Sequence, residues 1–278
     1  MAYYFKGNGF SFEINKRTYI MGILNVTPDS FFDGGQWNSP EKAVEHALKM
    51  QEDGADIIDI GAQSTRPGSV LLSEDEELEI IKKYIPAVTS AVNVPVSVDT
   101  FYPKVAEYCL ENGAKIINDV SSKMDREMAL VVKKHNAGWI VMHTGNASAS
   151  QEADYSKCGG VVNDVLAFFD RAEKIAAEYS ISRENICFDM GFGFGKSHND
   201  NLELLRNINK LKSPERALLT ALSCKRLVKN ETGADGYDRV FGTLAADTLA
   251  IAGGTDFIRV HHVKEACLAA KMTDAVVR

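Results

Sequence analysis

The chain has 278 residues, 45% hydrophobic and 25% charged, with 31 basic against 38 acidic side chains and a net charge of −7. That apolar share excludes a disordered chain, and the acidic balance argues against general nucleic-acid binding, which needs a basic face. The five cysteines, Cys109, Cys158, Cys187, Cys224 and Cys267, show no Cys-x-x-Cys spacing and are odd in number, so reduced thiols are expected rather than a disulfide framework or a zinc site. The N-terminal residues do not read as a signal peptide, and no apolar run reaches the roughly 18–20 residues that span a bilayer. A cytoplasmic protein with no membrane partner is expected.

In chain order, short apolar runs fall at Tyr19–Leu24, Ile57–Ile60, Val94–Val98, Ile116–Ile117, Trp139–Met142, Ile186–Phe188, Leu218–Leu222 and Phe257–Val260. They are mostly β-branched or aromatic and nearly continuous, as in parallel strands buried on both faces. Amphipathic helical patterns lie between them. Pro40–Asp53 follows Ser39, with serine placed to cap and proline at the first helical position. Glu74–Ala91 carries Leu78, Ile81, Ile85 and Val88 at helical spacing. Val161–Tyr179, Asn201–Leu211, Arg239–Ala252 and Lys264–Ala275 read alike. Eight strands alternating with helices predict an α/β fold, a (β/α)8 TIM barrel formed by residues 1–278 as one domain. The runner-up is an open doubly wound sheet. Against it, no G-x-G-x-x-G follows the first strand, and the glycine run Gly191–Gly195 comes too late with the wrong spacing.

Active sites of such barrels form at the C-terminal ends of the strands. There the sequence places Asn25, Asp59, Asp99, Asn118 with Asp119, His143, Asp189, Ser223-Cys224-Lys225, and Arg259 with His261 and His262. Singly, an aspartate there reads more often as a turn or cap than as catalytic, an asparagine reads either way, and His143 reads as a satisfied structural histidine. Together they converge on one mouth, where ionisable groups on apolar strands are costly unless paired or used. Asp99, Asn118, Asp189 and Lys225 suit the edge of a flat, nitrogen-rich heterocycle. Arg66, Arg259 and His261 suit phosphate. Asn25 offers an amide oxygen to a hard cation such as Mg2+, which keeps water and phosphate ligands besides.

These residues stand in strings that resemble the dihydropteroate synthase family from about Thr18 to Ala275. The first string is Met21-Gly22-Ile23-Leu24-Asn25-Val26-Thr27-Pro28-Asp29-Ser30-Phe31. Ser64-Thr65-Arg66-Pro67-Gly68, Val98-Asp99-Thr100, Ile117-Asn118-Asp119, Met142-His143, Gly191–Lys196, Gly242-Thr243-Leu244-Ala245 and Ile258-Arg259-Val260-His261 follow in order. The resemblance implies a transferase that joins 6-hydroxymethyl-7,8-dihydropterin pyrophosphate to p-aminobenzoate in folate biosynthesis. It implies catalytic roles for Asp99, Lys225, Arg259 and Asn25. Asn118 and Asp189 would hold the pterin ring, with Met142 and Phe194 lining its slot. Arg259, His261 and Asn25 would hold pyrophosphate and Mg2+. Phe31, Thr65, Arg66 and Ser223 would meet p-aminobenzoate, and late helices would form a homodimer. Other readings of the same pattern are a pterin-binding paralogue without synthase activity and a pterin-dependent methyltransferase. The chain departs from the family pattern at Ala62-Gln63 for Gly-Glu, Met190 for Pro, Ala221 for Gly, Cys224 for Arg and His262 for Asp.

Overall fold

The computed structural model describes residues 1–26, 39–63, 71–145 and 152–278. Strands β1 (Tyr4–Gly7) and β2 (Phe10–Glu13) form an antiparallel hairpin. Then come β3 (Tyr19–Asn25), β4 (Ile57–Gly61), β5 (Val96–Asp99), β6 (Ile116–Asp119), β7 (Gly138–Met142), β8 (Ile186–Asp189), β9 (Ala217–Thr220) and β10 (Phe257–Val260). These eight pair in parallel, each with the next, and β10 pairs with β3 to close the barrel. The eight apolar runs of the sequence are these eight strands, and the open doubly wound sheet is excluded.

The helices are α1 (Pro40–Glu52), α2 (Glu74–Ile81), α3 (Ile85–Ala91), α4 (Pro103–Glu111), α5 (Arg126–His135), α6 (Val161–Glu178), α7 (His198–Arg206), α8 (Ile208–Leu211), α9 (Arg226–Thr232), α10 (Arg239–Ala252) and α11 (Val263–Val277). Ser39 caps α1 ahead of Pro40, as its sequence predicts. The single helix expected over Glu74–Ala91 is instead two. Pro86 has no N–H, its ring clashes with the carbonyl four residues back, and it disfavours helix at Ile85, so the chain breaks before α3. The pattern over Asn201–Leu211 begins earlier, at His198, because Ser197 and Asp200 form a reciprocal capping box.

Two apolar layers follow from the alternation of side chains along each strand. Outward residues such as Ile58, Ile60, Trp139, Phe188 and Ile258 pack under the helices. Inward residues Met21, Ile57, Ile116, Ile140, Cys187 and Leu219 fill the barrel. Beneath them the hairpin forms a floor. Phe5 and Phe12 meet Phe257 edge-on, with ring centroids 5.5 and 5.6 Å apart, and Tyr19 stacks on Phe257 at 5.1 Å. Gly138 admits this floor: a Cβ there would stand 2.7 Å from the Phe10 ring and 2.9 Å from that of Phe5. With the bottom filled, the described polar strand ends gather at the opposite rim.

Candidate active site

The rim is organised by one cation and three partners. Arg259, third residue of β10, donates from Nε to Asp59 Oδ2 at 2.6 Å and from Nη2 to Asp99 Oδ2 at 2.9 Å. Asn118 donates from Nδ2 to the same Asp59 oxygen at 3.1 Å. Register explains the meeting: Asp99 pairs with Asn118, and both face inward. The next residue along β6, Asp119, faces out. Its carboxylate accepts from the Ser121 amide at 2.9 Å and from the indole of Trp139 at 3.4 Å, behind the barrel wall.

Asp189 and Met142 are also register partners on the inner face, both buried. Asp189 accepts the Gly191 amide at 2.7 Å. That turn demands glycine: φ at Gly191 is +67°, and a Cβ would fall 1.9 Å from the His143 carbonyl oxygen. Two lysines fold the glycine run from either side. Buried Lys196 donates to the carbonyls of His143, Gly191 and Phe194 at 3.1, 2.9 and 3.1 Å. Lys225 donates to the Phe192 carbonyl, and its ammonium lies 5.0 Å from the centre of the Phe194 ring. His143 turns away from the mouth. Its Nε2 lies 2.9 Å from Asp164 on α6 and its ring packs edge-on against Phe168, so it is a buried structural histidine.

On the neighbouring rim Ser223 Oγ lies 2.9 Å from His261 Nδ1 and accepts the His261 amide at 3.2 Å. Cys224 sits between Ser223 and Lys225 with φ +57°, its amide donating to Thr243 Oγ1 on α10. Ala221 is buried with the inner apolar cluster. Asn25 ends β3 beside Gly61, its Oδ1 3.7 Å from where a Cβ on Gly61 would lie. Phe31, Thr65 and Arg66 lie outside the described residues.

Burial sets the charges. It pushes the Asp99 carboxyl upward against the pull of Arg259. It also pushes Asp189 up, opposed by Lys225 and the Gly191 amide. Lys225 comes down to about 8, chiefly from burial and against the pull of Asp189. Lys196 comes down to about 7 for the same reason. Burial therefore raises the acids of the mouth and lowers its amines, each toward its neutral form. Among the described residues one three-donor cluster, Glu107, Glu111 and His135, stands at the C-terminal ends of α4 and α5, at the far end of the barrel. Lys134 is ion-paired with both glutamates, so it is a surface charge network.

The sequence places Asp59 at a strand end but assigns it no role, and it does not mark Glu77 for the site at all. Asp59 is a lone charge inside Ile57-Ile58-Asp59-Ile60, and a carboxylate in so apolar a run is the signal that marks it. Glu77 on α2 is masked by its neighbours: the run Glu74-Asp75-Glu76-Glu77 reads as an exposed first turn, yet Glu77 is fully buried under Gln63.

Comparison with known proteins agrees with this geometry. The sequence profile described as pterin binding enzyme matches residues 21–261. A dihydropteroate synthase of Clostridium beijerinckii is 40% identical over 96% of this chain and 97% of its own. That of Bacillus subtilis is 40% identical over 94% and 90%. The crystal structure of a dihydropteroate synthase from Clostridium difficile, determined in the presence of pteroic acid, superposes with a TM-score of 0.89 at 39% identity, covering 96% of this chain and 99% of the other. A Xanthomonas albilineans dihydropteroate synthase with 4-aminobenzoic acid gives 0.89 at 35% identity over 99% and 98%.

Proposed function

The chain belongs to the pterin-binding enzyme family, and on that footing we infer the activity of a dihydropteroate synthase, a transferase of folate biosynthesis. It condenses 6-hydroxymethyl-7,8-dihydropterin pyrophosphate with p-aminobenzoate to 7,8-dihydropteroate and pyrophosphate. The observation that carries the assignment to this mouth is the convergence of Arg259, Asp59, Asp99 and Asn118 from four strands, with Asp189 and Lys225 on the same rim.

In the roles we assign, Asp189 and Asn118 hold the ring edge. Asn118 Oδ1, buried without a hydrogen-bond partner among the described residues, is an acceptor for a ring N–H. Met142 and Phe194 line the slot, and Lys225 and Asp99 meet the ring's polar atoms. Arg259 and His261 take the diphosphate. The C–O bond to the diphosphate breaks first, and the electron pair leaves with it. The ring spreads the positive charge left on the methylene carbon, and the carboxylates of Asp99 and Asp189 favour that charge electrostatically. The arylamine nitrogen then forms the C–N bond and releases its proton. Ser223 receives p-aminobenzoate together with Phe31, Thr65 and Arg66, so that placement replaces a bimolecular encounter.

Mg2+ fits one donor here. Asn25 brings a neutral amide oxygen to the rim next to Gly61, which adds no side chain, and an ion that keeps most of its own water and phosphate ligands needs little more from protein. Bound there, Mg2+ would supply charge neutralisation to the departing diphosphate.

The homodimer we propose uses α10 and α11. Leu268, Met272 and Val276 form an exposed stripe along α11, and Phe241 and Leu249 continue it on the adjacent α10. So large an apolar face on two packed helices is a surface for association. No helix among the described residues is long and apolar enough to cross a membrane. We place the enzyme in the cytoplasm.

The direct test is steady-state pyrophosphate release with and without p-aminobenzoate. Release that depends on both substrates, with dihydropteroate as the product, is the expected result. A chain that binds the pterin and releases nothing would be a binding protein instead.

A further inference from the structure

Asp59 has no part in the roles assigned above, yet it is the most deeply placed charge of the mouth. Its carboxylate is completely buried, while Asp99 keeps 13% of its side chain exposed and Arg259 keeps 17%. Register puts it one layer beneath Asp99: Gly61 pairs with Asp99, and Asp59, two residues earlier, pairs with Ser97. Directly above Asp59 on its own strand stands Gly61, so no side chain of β4 intervenes between it and the rim.

We propose that Asp59 is a positioning residue for the transfer, the fixed anchor from which Arg259 and Asn118 are presented to the ligand. One oxygen, Asp59 Oδ2, receives both the Nε of Arg259 at 2.6 Å and the Nδ2 of Asn118 at 3.1 Å. It thereby ties β10 to β6 across the barrel. The two carboxylates on Arg259 are not equivalent. Asp99 is at the solvent side and is itself a ligand-holding group, so its bond to Nη2 is the one a substrate can replace. Asp59, completely buried one layer below Asp99, keeps Nε through any such exchange. Among the described residues Nη1 has no partner, so the anchored guanidinium retains one edge for an anion.

The energetics favour a functional reason for the acid. A carboxylate inside an apolar strand gives up its hydration, and an ion pair seldom returns more than that loss. A well-packed apolar residue at position 59 would serve the fold at least as well. What the apolar residue would not do is fix the plane of a guanidinium whose misplacement by about 1 Å is worth up to roughly 100-fold in rate. This inference rests on the reading of the mouth as the pterin and diphosphate site.

The test is a double-mutant cycle between Asp59→Asn and Arg259→Lys, followed by kcat and KM for each substrate. Asparagine preserves size and one acceptor but not the charge. Lysine preserves the charge but has no Nε–Nη fork for Asp59 to orient. We expect Asp59→Asn to lower kcat at least tenfold with both KM values within about threefold, and to lower it by less than about twofold when Arg259 is already lysine. Equal losses in the two backgrounds, or a normal kcat in Asp59→Asn, would overturn the proposal. Where Asp59→Asn does not fold by circular dichroism, Asp59→Ser takes its place in the same cycle. If Arg259→Lys alone had full activity, the assignment of the mouth would fail. Additivity on top of an impaired Arg259→Lys strikes only the role of Asp59.

Discussion

Gln63 and Glu77 form a buried amide–carboxylate pair, Nε2 lying 2.8 Å from Oε2. The amide oxygen of Gln63 also accepts the Leu72 N–H at 2.9 Å, so one side chain joins the two described flanks of residues 64–70 to helix α2. Burial raises the Glu77 carboxyl to about 7, with Thr100 and Gln63 pulling it back. The family pattern has glutamate at position 63, and here the amide supplies a donor where a second carboxyl would need a shared proton. Gln63→Glu should therefore retain a proton in the folded state that the unfolded chain gives up above about pH 5. Its stability then falls as pH rises. Thermal melts at pH 5.5 and 8.5 should show a loss that grows from slight to about 1–3 kcal/mol. A loss equal at both pH values would mean that the pair does not titrate.

Lys225 should set the alkaline limit of activity. Its ammonium, lowered to about 8, is the donor form, and that form is lost as pH rises through the folded value. The profile of kcat/KM should fall above about pH 8. Arginine stays protonated throughout this range, so Lys225→Arg should move the limb upward even where the maximum rate is reduced. Lys225→Ala should weaken the pterin pyrophosphate by about 10–100-fold in calorimetry, the worth of a charged hydrogen bond. Unchanged affinity would remove Lys225 from the slot.

Asp247 lies on the inner face of α10 with both carboxylate oxygens buried and no hydrogen-bond partner among the described residues. Burial alone raises it to about 8. Unfolded, it titrates near 4, so between those values the native state holds a proton that the unfolded state has lost. Stability should decline with rising pH across that window by up to about 1.4 kcal/mol per unit. Asp247→Ala removes the decline, and its melting temperature should exceed that of the parent by a margin widening from pH 5 to pH 8. A constant margin would show that the acid finds a partner in solution.

Cys224 stands where the family carries arginine. Restoring the cation with Cys224→Arg should raise kcat/KM for p-aminobenzoate severalfold, because the position adjoins Ser223 on one side and Lys225 on the other. Identical kinetics would show that the acceptor needs no charge there.

The association face is tested by Leu268→Glu with Met272→Glu, two exposed positions one turn apart on α11. Sedimentation should report a dimer for the parent and a monomer for the double variant. A parent that is monomeric at micromolar concentration would leave the stripe without that partner.

The barrel was legible because parallel strands buried on both faces carry unbroken apolar runs, and all eight appear at the positions where β3 to β10 form. The hairpin was not. Tyr4–Gly7 and Phe10–Glu13 are four residues each, too short for a periodicity to stand out, and their aromatic rings gain meaning only against Tyr19 and Phe257. Of the site, Asp99, Asn118, Asp189, Lys225 and Arg259 were readable as polar residues ending apolar strands. Asp59 belongs to the same set, but two more strand residues follow it, so position along the chain hides its depth. His143 shows the converse: it ends a strand, and the fold turns it toward Asp164.

Closure of the cylinder joins Tyr19 to Phe257 and Gly22 to Val260, the earliest and latest staves. During synthesis this seam is the last to form, because its second half leaves the ribosome only after most of the polypeptide has been made. Until then the nascent chain carries two open sheet margins rich in unpaired amides, the kind of edge that invites pairing with another molecule. A truncation shortly before Phe257 should accordingly give an aggregating product rather than a weakened enzyme, even though it removes only about a twelfth of the polymer from one flank.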